Sequence, residues 1–197
     1  LYQENRPYRQ TATDLLRGLM ILSFPMVVGG TLLSHEIIQF LMPDLDAGGG
    51  RVFQILLWSL PFIYANFLLG TILVATDRQK LNLVGSVCGL VCNGLANIPA
   101  IYYWGAYGAS VVTIASQGLY TLILLYFCRQ FLTTKGLFRY VSILASCAVM
   151  AGAIAWAALP WFLEIMLGAG VYGIALILLQ GISLDDLNHL RGILRKK

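Results

Sequence analysis

Residues 66–126 read NFLLGTILVATDRQKLNLVGSVCGLVCNGLANIPAIYYWGAYGASVVTIASQGLYTLILLY. Three apolar runs are separated by two short breaks, TDRQK at 76–80 and YWGAYGA at 103–109. A helix needs about 20 mostly apolar residues to cross a bilayer core. The runs at 81–103 and 106–128 meet that length. They are too long, and alternate too little, for the strands of a membrane barrel.

Working outward, four more stretches qualify, at 17–41, 52–75, 138–159 and 163–183. The segments between them carry loop punctuation: MPDLDAGGGR at 42–51 is rich in Gly and Asp, RQFLTTKGLFR at 129–139 is basic, and Pro160 precedes the last span. The composition agrees. The chain is 58% hydrophobic and 11% charged, with a mean hydropathy of +0.76, whereas a soluble domain is about half apolar and a quarter charged. The expected fold class is all-α, a polytopic membrane bundle of six transmembrane helices.

Lys and Arg orient such a bundle, because cytoplasmic loops carry the excess. Twelve of the thirteen basic residues fall before span one or after spans two, four and six, and only Arg51 lies on the other side. Both termini are therefore expected in the cytoplasm. The expected organisation is a cytoplasmic lead-in at 1–16, a four-helix part at 17–128, a cytoplasmic loop at 129–137, two additional helices at 138–183 and a basic cytoplasmic tail at 184–197. Within the tail, Asp185 and Asp186 would cap a short amphipathic helix. Tyr102, Tyr103, Trp104, Tyr107, Trp156 and Trp161 sit where rings favour the opposite headgroup zone. The chain starts without an initiator Met or a signal peptide, which reads as a piece of a longer protein.

The net charge of +4 is accounted for by topology and calls for no nucleic acid. Cys88, Cys92, Cys128 and Cys147 lie in apolar runs and imply neither a disulfide framework nor a metal site. No phosphate loop or nucleophile–base pair is present, so an enzyme is disfavoured and no cofactor or metal is expected.

Polar side chains inside the spans are few: Gln54, Asn66, Asn93, Asn97, Thr113, Ser116 and Gln117. An amide in hydrocarbon needs a partner. One reading is interhelical hydrogen bonding. The other makes Asn66, Asn93, Asn97 and Gln117 the edge of a hydrated path for a polar substrate. Asn93 and Asn97 are four apart and share a helix face. Pro25 and Pro61 interrupt spans one and two, and Pro99 follows the asparagines. Gly85 and Gly89 are spaced for close helix contact. His35 and Glu36 are the ionisable pair of span one. Nineteen residues beyond Arg17, Glu36 stands about 28 Å along a helix. That is the outer interface, and it makes the pair a boundary marker, against a coupling or gating role.

Several motifs occur in a familiar order. LVATDRQK at 73–80 ends one helix in a small and basic turn, NGLANIPAIYYW at 93–104 leads asparagines into an apolar-Pro turn, GAYGAS at 105–110 opens the next helix, and EIIQFLMP at 36–43 closes the first span. Together these resemble the second half of bacterial polysaccharide flippases, of the multidrug, oligosaccharidyl-lipid and polysaccharide exporter superfamily. Met42 and Pro43 stand where the family has Phe-Gly. The resemblance implies a multi-pass inner-membrane transporter of two lobes, of which this chain would supply the last six of about 12 or 14 spans. Its partners would be the missing N-terminal lobe, membrane lipid and a lipid-linked glycan flipped to the outer leaflet. Family cavities use basic residues for substrate phosphates, and no Lys or Arg lies deep in these spans. In the lipid II flippases of the same superfamily two extra helices form a groove for the lipid tail. The Ala-rich 145–158 stretch is a candidate for that part, against plain lipid-facing packing. The rival readings are a cation-coupled multidrug exporter of the same superfamily, for which Glu36 is the one acidic candidate, a sugar-transferring membrane enzyme, and a non-catalytic assembly partner.

Overall fold

The computed structural model describes residues 5–43, 48–133, 138–157, 159–179 and 181. The expected tail at 184–197 lies outside them. Among the described residues every regular element is helical: α1 (Asn5–Leu32), α2 (Ser34–Leu41), α3 (Gly48–Leu57), α4 (Leu60–Ala75), α5 (Gln79–Cys128), α6 (Phe138–Ala157) and α7 (Trp161–Leu178). Five stretches are long and apolar enough to cross a membrane. The 50-residue α5 is a hairpin of two limbs, 79–104 and 106–128, broken at Gly105, so six apolar limbs result. The chain divides into two units, residues 1–134 and 135–197.

The α5 hairpin follows from Gly105. Its φ of 58° and ψ of −138° lie in a region essentially reserved for glycine. Beyond it the limbs run antiparallel, as Asn93 meets Ser116 and Asn82 meets Tyr120. Gly85 and Gly89 do bring the limbs together: the Tyr120 ring occupies the space that side chains there would take. Pro99 sits inside the first limb without breaking it.

Three expectations are corrected. First, the span at 17–41 is two helices. α1 begins at Asn5, inside the expected lead-in, passes through Pro25 unbroken and stops at Leu32. Leu33 turns the chain with φ −99° and ψ 14°, and the Ser34 hydroxyl donates to the Thr31 carbonyl at 3.0 Å. Second, the span at 52–75 starts earlier, at Gly48, and although Gly48–Ala75 is one stretch long and apolar enough to cross a membrane, it is articulated into α3 and α4. Pro61 stands in the first turn of α4, where its missing N–H costs nothing, whereas in mid-helix its ring would strike the carbonyl four residues back. Trp58 and Ser59 tighten to bonds with carbonyls three residues earlier. Third, the last span is α7, ending at Leu178.

In the first unit α4 packs antiparallel to the first limb of α5 and parallel to the second. Gly70 lies against Asn82, while Phe62, Asn66 and Leu69 meet Gly118, Gln117 and Cys128 in turn. Leu69, Leu73, Leu124 and Cys128 are fully buried there. At the basic end a clasp ties α1 to the segment after α5. The Arg9 guanidinium donates twice to the Leu132 carbonyl, at 2.7 and 3.2 Å. Thr133 N–H donates to the Thr13 hydroxyl at 3.0 Å, and the Arg78 guanidinium lies 5.4 Å over the Phe131 ring. Arg17 is buried in α1 and pairs with Asp14 at 3.5 Å.

In the second unit α6 and α7 form an antiparallel hairpin. Ile143, Cys147, Met150 and Ile154 make a buried stripe on α6 at helical spacing. Gly168 of α7 admits Ile154 so closely that a Cβ would stand 2.9 Å from its Cδ1. Glu164 caps the entry to α7, its Oε1 accepting from Leu159 N–H at 3.1 Å.

Candidate functional site

The amides meet in the seam between α4 and the two limbs of α5. Asn66 lies on the buried stripe of α4 with Ala65, Leu69 and Leu73 and is 6% exposed. Its Nδ2 donates to Gln117 Oε1 at 2.8 Å and to the Gln117 carbonyl at 3.3 Å. Its Oδ1 accepts from Thr121 Oγ1 at 2.8 Å, and the same hydroxyl also approaches the Gln117 carbonyl. The set is closed: both ends of the Asn66 amide are spent on the second limb of α5.

The second set is open. Asn97 Nδ2 donates to Asn93 Oδ1 at 2.9 Å, the geometry that four-residue spacing allows. Asn93 Nδ2 crosses the hairpin to Ser116 Oγ at 3.2 Å. The Ser116 hydroxyl donates in turn to the Val112 carbonyl at 2.8 Å. Asn97 Oδ1 is shielded yet has no hydrogen-bond partner among the described residues, and an orphaned buried acceptor costs about 1–3 kcal/mol. The chain Asn97–Asn93–Ser116 therefore begins at an acceptor whose capacity is unused in this arrangement of the helices.

A third contact carries no signal of its own in the sequence. Tyr120 OH donates to Asn82 Oδ1 at 2.8 Å. With Asn66, Phe67, Gly70, Thr71 and Val74 this pair lines a groove of about 430 Å³ along α4. Thr121 is readable in principle, since it falls four residues after Gln117 on one helix face. Asn82 and Tyr120 are hidden by position, one beside the charged turn and the other resembling a belt aromatic.

The remaining candidates behave as local features. Gln54 reaches the Thr31 carbonyl at 3.4 Å and joins α3 to α1. Thr113 bonds back to Ala109 within its own limb. His35 and Glu36 are exposed at the start of α2, where the His35 ring lies against the glycine-rich start of α3 at Gly50. Neither joins the amide sets. Among the described residues no group of three or more His, Cys, Asp or Glu could hold a metal ion.

This architecture is similar to a solved structure described as lipid II flippase MurJ in an inward closed conformation. The TM-score is 0.77 at 18% identity, covering 85% of this chain and 38% of that one. No curated protein sequence matches the chain. The family model for the lipid II flippase MurJ matches residues 2–181. That match keeps the superfamily to which the motifs point and moves the chain from its polysaccharide branch to its lipid II branch. The chain belongs to the lipid II flippase MurJ family.

Proposed function

We propose that this chain is part of a transporter that moves the polar head of lipid II, a lipid-linked peptidoglycan precursor, from the inner to the outer leaflet of the inner membrane. The observation that carries the proposal is the family match over residues 2–181. It takes precedence over the polysaccharide reading and over the multidrug reading. The chain spans 38% of the solved flippase, so in this proposal further helices of the same protein complete the passage. Both termini face the cytoplasm, following the twelve basic residues on one side.

A sugar-phosphate head is costly in hydrocarbon and crosses only where polar groups or water replace its hydration. The two amide sets divide this task. Asn66 and Gln117 are already satisfied by each other and by Thr121 and hold α4 to α5. Asn93 and Asn97 edge the path, because Asn97 Oδ1 keeps an acceptor open.

The test is complementation. The full-length protein, expressed in a bacterium depleted of its own lipid II flippase, restores growth and brings lipid II within reach of an external probe. A protein that inserts at normal levels and restores neither would defeat the proposal. Within that assay, Asn93→Leu and Asn97→Leu each lower transport about tenfold, the equivalent of one hydrogen bond of about 1.4 kcal/mol; melting temperature is little changed in Asn97→Leu, whereas Asn93→Leu also loses its bond to Ser116 and is destabilised by about 1 kcal/mol. Full transport by both variants would remove them from the path.

A further inference from the structure

The groove along α4 has no part in the amide path and has the features of a lipid site. Its volume of about 430 Å³ falls within the ~300–1,000 Å³ of small-molecule sites. Most of its polar capacity is spent. Asn66 is closed on Gln117 and Thr121, and the Thr71 hydroxyl donates to the Phe67 carbonyl at 2.8 Å. Tyr120 OH donates to Asn82 Oδ1. The donor that remains is Asn82 Nδ2, which has no acceptor among the described residues. The amide lies flat against Gly70, where a Cβ would stand 3.0 Å from its Oδ1 and 3.4 Å from its Nδ2. The missing side chain at Gly70 keeps the groove open beside that donor.

Depth and charge indicate the occupant. Asn82 lies in the first turn of α5, about 5 Å along the axis from Gln79. Just before it comes the charged turn Asp77–Arg78–Gln79–Lys80. Arg78 is engaged over Phe131, whereas Lys80 is exposed and makes no ion pair among the described residues. A cation at the headgroup level, an amide donor one turn deeper and an apolar trough beyond it match a glycerophospholipid in order: phosphate, ester carbonyl, acyl chain. Phe67, 73% exposed, and Val74 flank the trough.

We infer that the groove between α4 and α5 seats one phospholipid of the leaflet at the basic end, its phosphate beside Lys80, an ester carbonyl accepting from Asn82 Nδ2 and its acyl chain crossing Gly70. The occupant is a structural lipid of the bilayer, distinct from the transported precursor.

The experiment places p-benzoylphenylalanine at position 67 of the full-length protein, an exposed aromatic position beside the trough. The protein is reconstituted in vesicles of phosphatidylethanolamine and phosphatidylglycerol, illuminated, and weighed by mass spectrometry. The expected product is an adduct of one phospholipid. Gly70→Leu, which fills the trough, and Asn82→Leu, which removes the donor, each lower its yield about tenfold. Lys80→Gln lowers the preference for phosphatidylglycerol about fivefold, the effect of one basic residue at an anionic headgroup. Three results would overturn the inference: a cross-link to another segment of the protein in place of lipid, no adduct, or an adduct indifferent to both Gly70→Leu and Asn82→Leu.

Discussion

The two units hold their helices together by different means. In the first, amides and hydroxyls bond from one helix to another: Asn66 to Gln117 and Thr121, Asn93 to Ser116, Tyr120 to Asn82. In the second, Ser146 donates to the Ser142 carbonyl of its own helix, and the close contact between helices is Gly168 against Ile154 and Met150. Lipid offers apolar helices no hydrophobic reason to associate, so close packing and interhelical hydrogen bonds must do so. The first unit uses directional bonds and gains polar groups at defined positions. At Gly168 the second relies on close packing, with the apolar stripe of α6 buried against α7. The path proposed above for a polar head draws on the polar groups of the first unit.

The sharpest way to break this comparison is at the α5 hairpin. A Cβ on Gly108 would run into the Ala100 carbonyl, oxygen first and then carbon at 2.8 Å. Backbone there cannot move without opening the turn that sets Asn93 opposite Ser116. Gly108→Ala should destabilise the full-length protein by about 3 kcal/mol, the upper range of overpacking, read as a lowered melting temperature. An unchanged melting temperature would mean that the turn does not fix the limbs.

Next in size is Asn66→Leu. It leaves Gln117 Oε1 without its donor and removes the acceptor of Thr121 Oγ1. Interhelical bonds in membranes contribute about 0.6–2 kcal/mol each, and three are lost, the one to the Gln117 carbonyl being long at 3.3 Å, although Thr121 keeps the Gln117 carbonyl. A loss of about 2 kcal/mol is expected in thermal or denaturant unfolding. Stability at the wild-type level would show that the knot does not hold α4.

Part of this contrast is legible in the amino-acid sequence alone. The i, i+4 spacing of Asn93 and Asn97 announces a shared face, and the Gly-bearing break at 103–109 announces a hairpin. The partner of Asn66 is not legible, because no local pattern says that α4 runs parallel to the second limb of α5. The helix breaks are legible only in part. Pro61 marks one because it fits a first turn and not a helix interior, whereas Pro25 and Pro99 sit inside continuous helices. Leu33 carries no sequence signal at all. The early start of α1 is hidden by its charges: Arg6, Arg9 and Arg17 interrupt the apolar pattern, but the helix continues through them as far as Asn5.

In the second unit the expected effects are smaller. A Cβ on Gly168 would meet Ile154 Cδ1 at 2.9 Å, the far end of a flexible side chain and not a carbonyl. Gly168→Ala should cost no more than about 1 kcal/mol. A cost equal to that of Gly108→Ala would show that the second unit is as tightly determined as the first.

The smallest effect is the most discriminating. Ser146 is fully buried, more so than Asn66, so burial alone would rank it as the more sensitive position. Its hydroxyl, however, donates to the carbonyl four residues back on the same helix. Such a back-bond slightly destabilises a helix and joins nothing to its neighbour. Ser146→Ala removes the donor, and the Ser142 carbonyl can still accept from the backbone of its own helix. No helix loses its partner. The expected change is within about 0.5 kcal/mol, measured beside Asn66→Leu in the same unfolding assay. If Ser146→Ala proved as costly as Asn66→Leu, depth of burial would govern both units, and the distinction between bonded and packed helices would fall. If it is silent while Asn66→Leu is not, the consequence of a buried polar group in this bundle depends on which helix accepts its hydrogen bond.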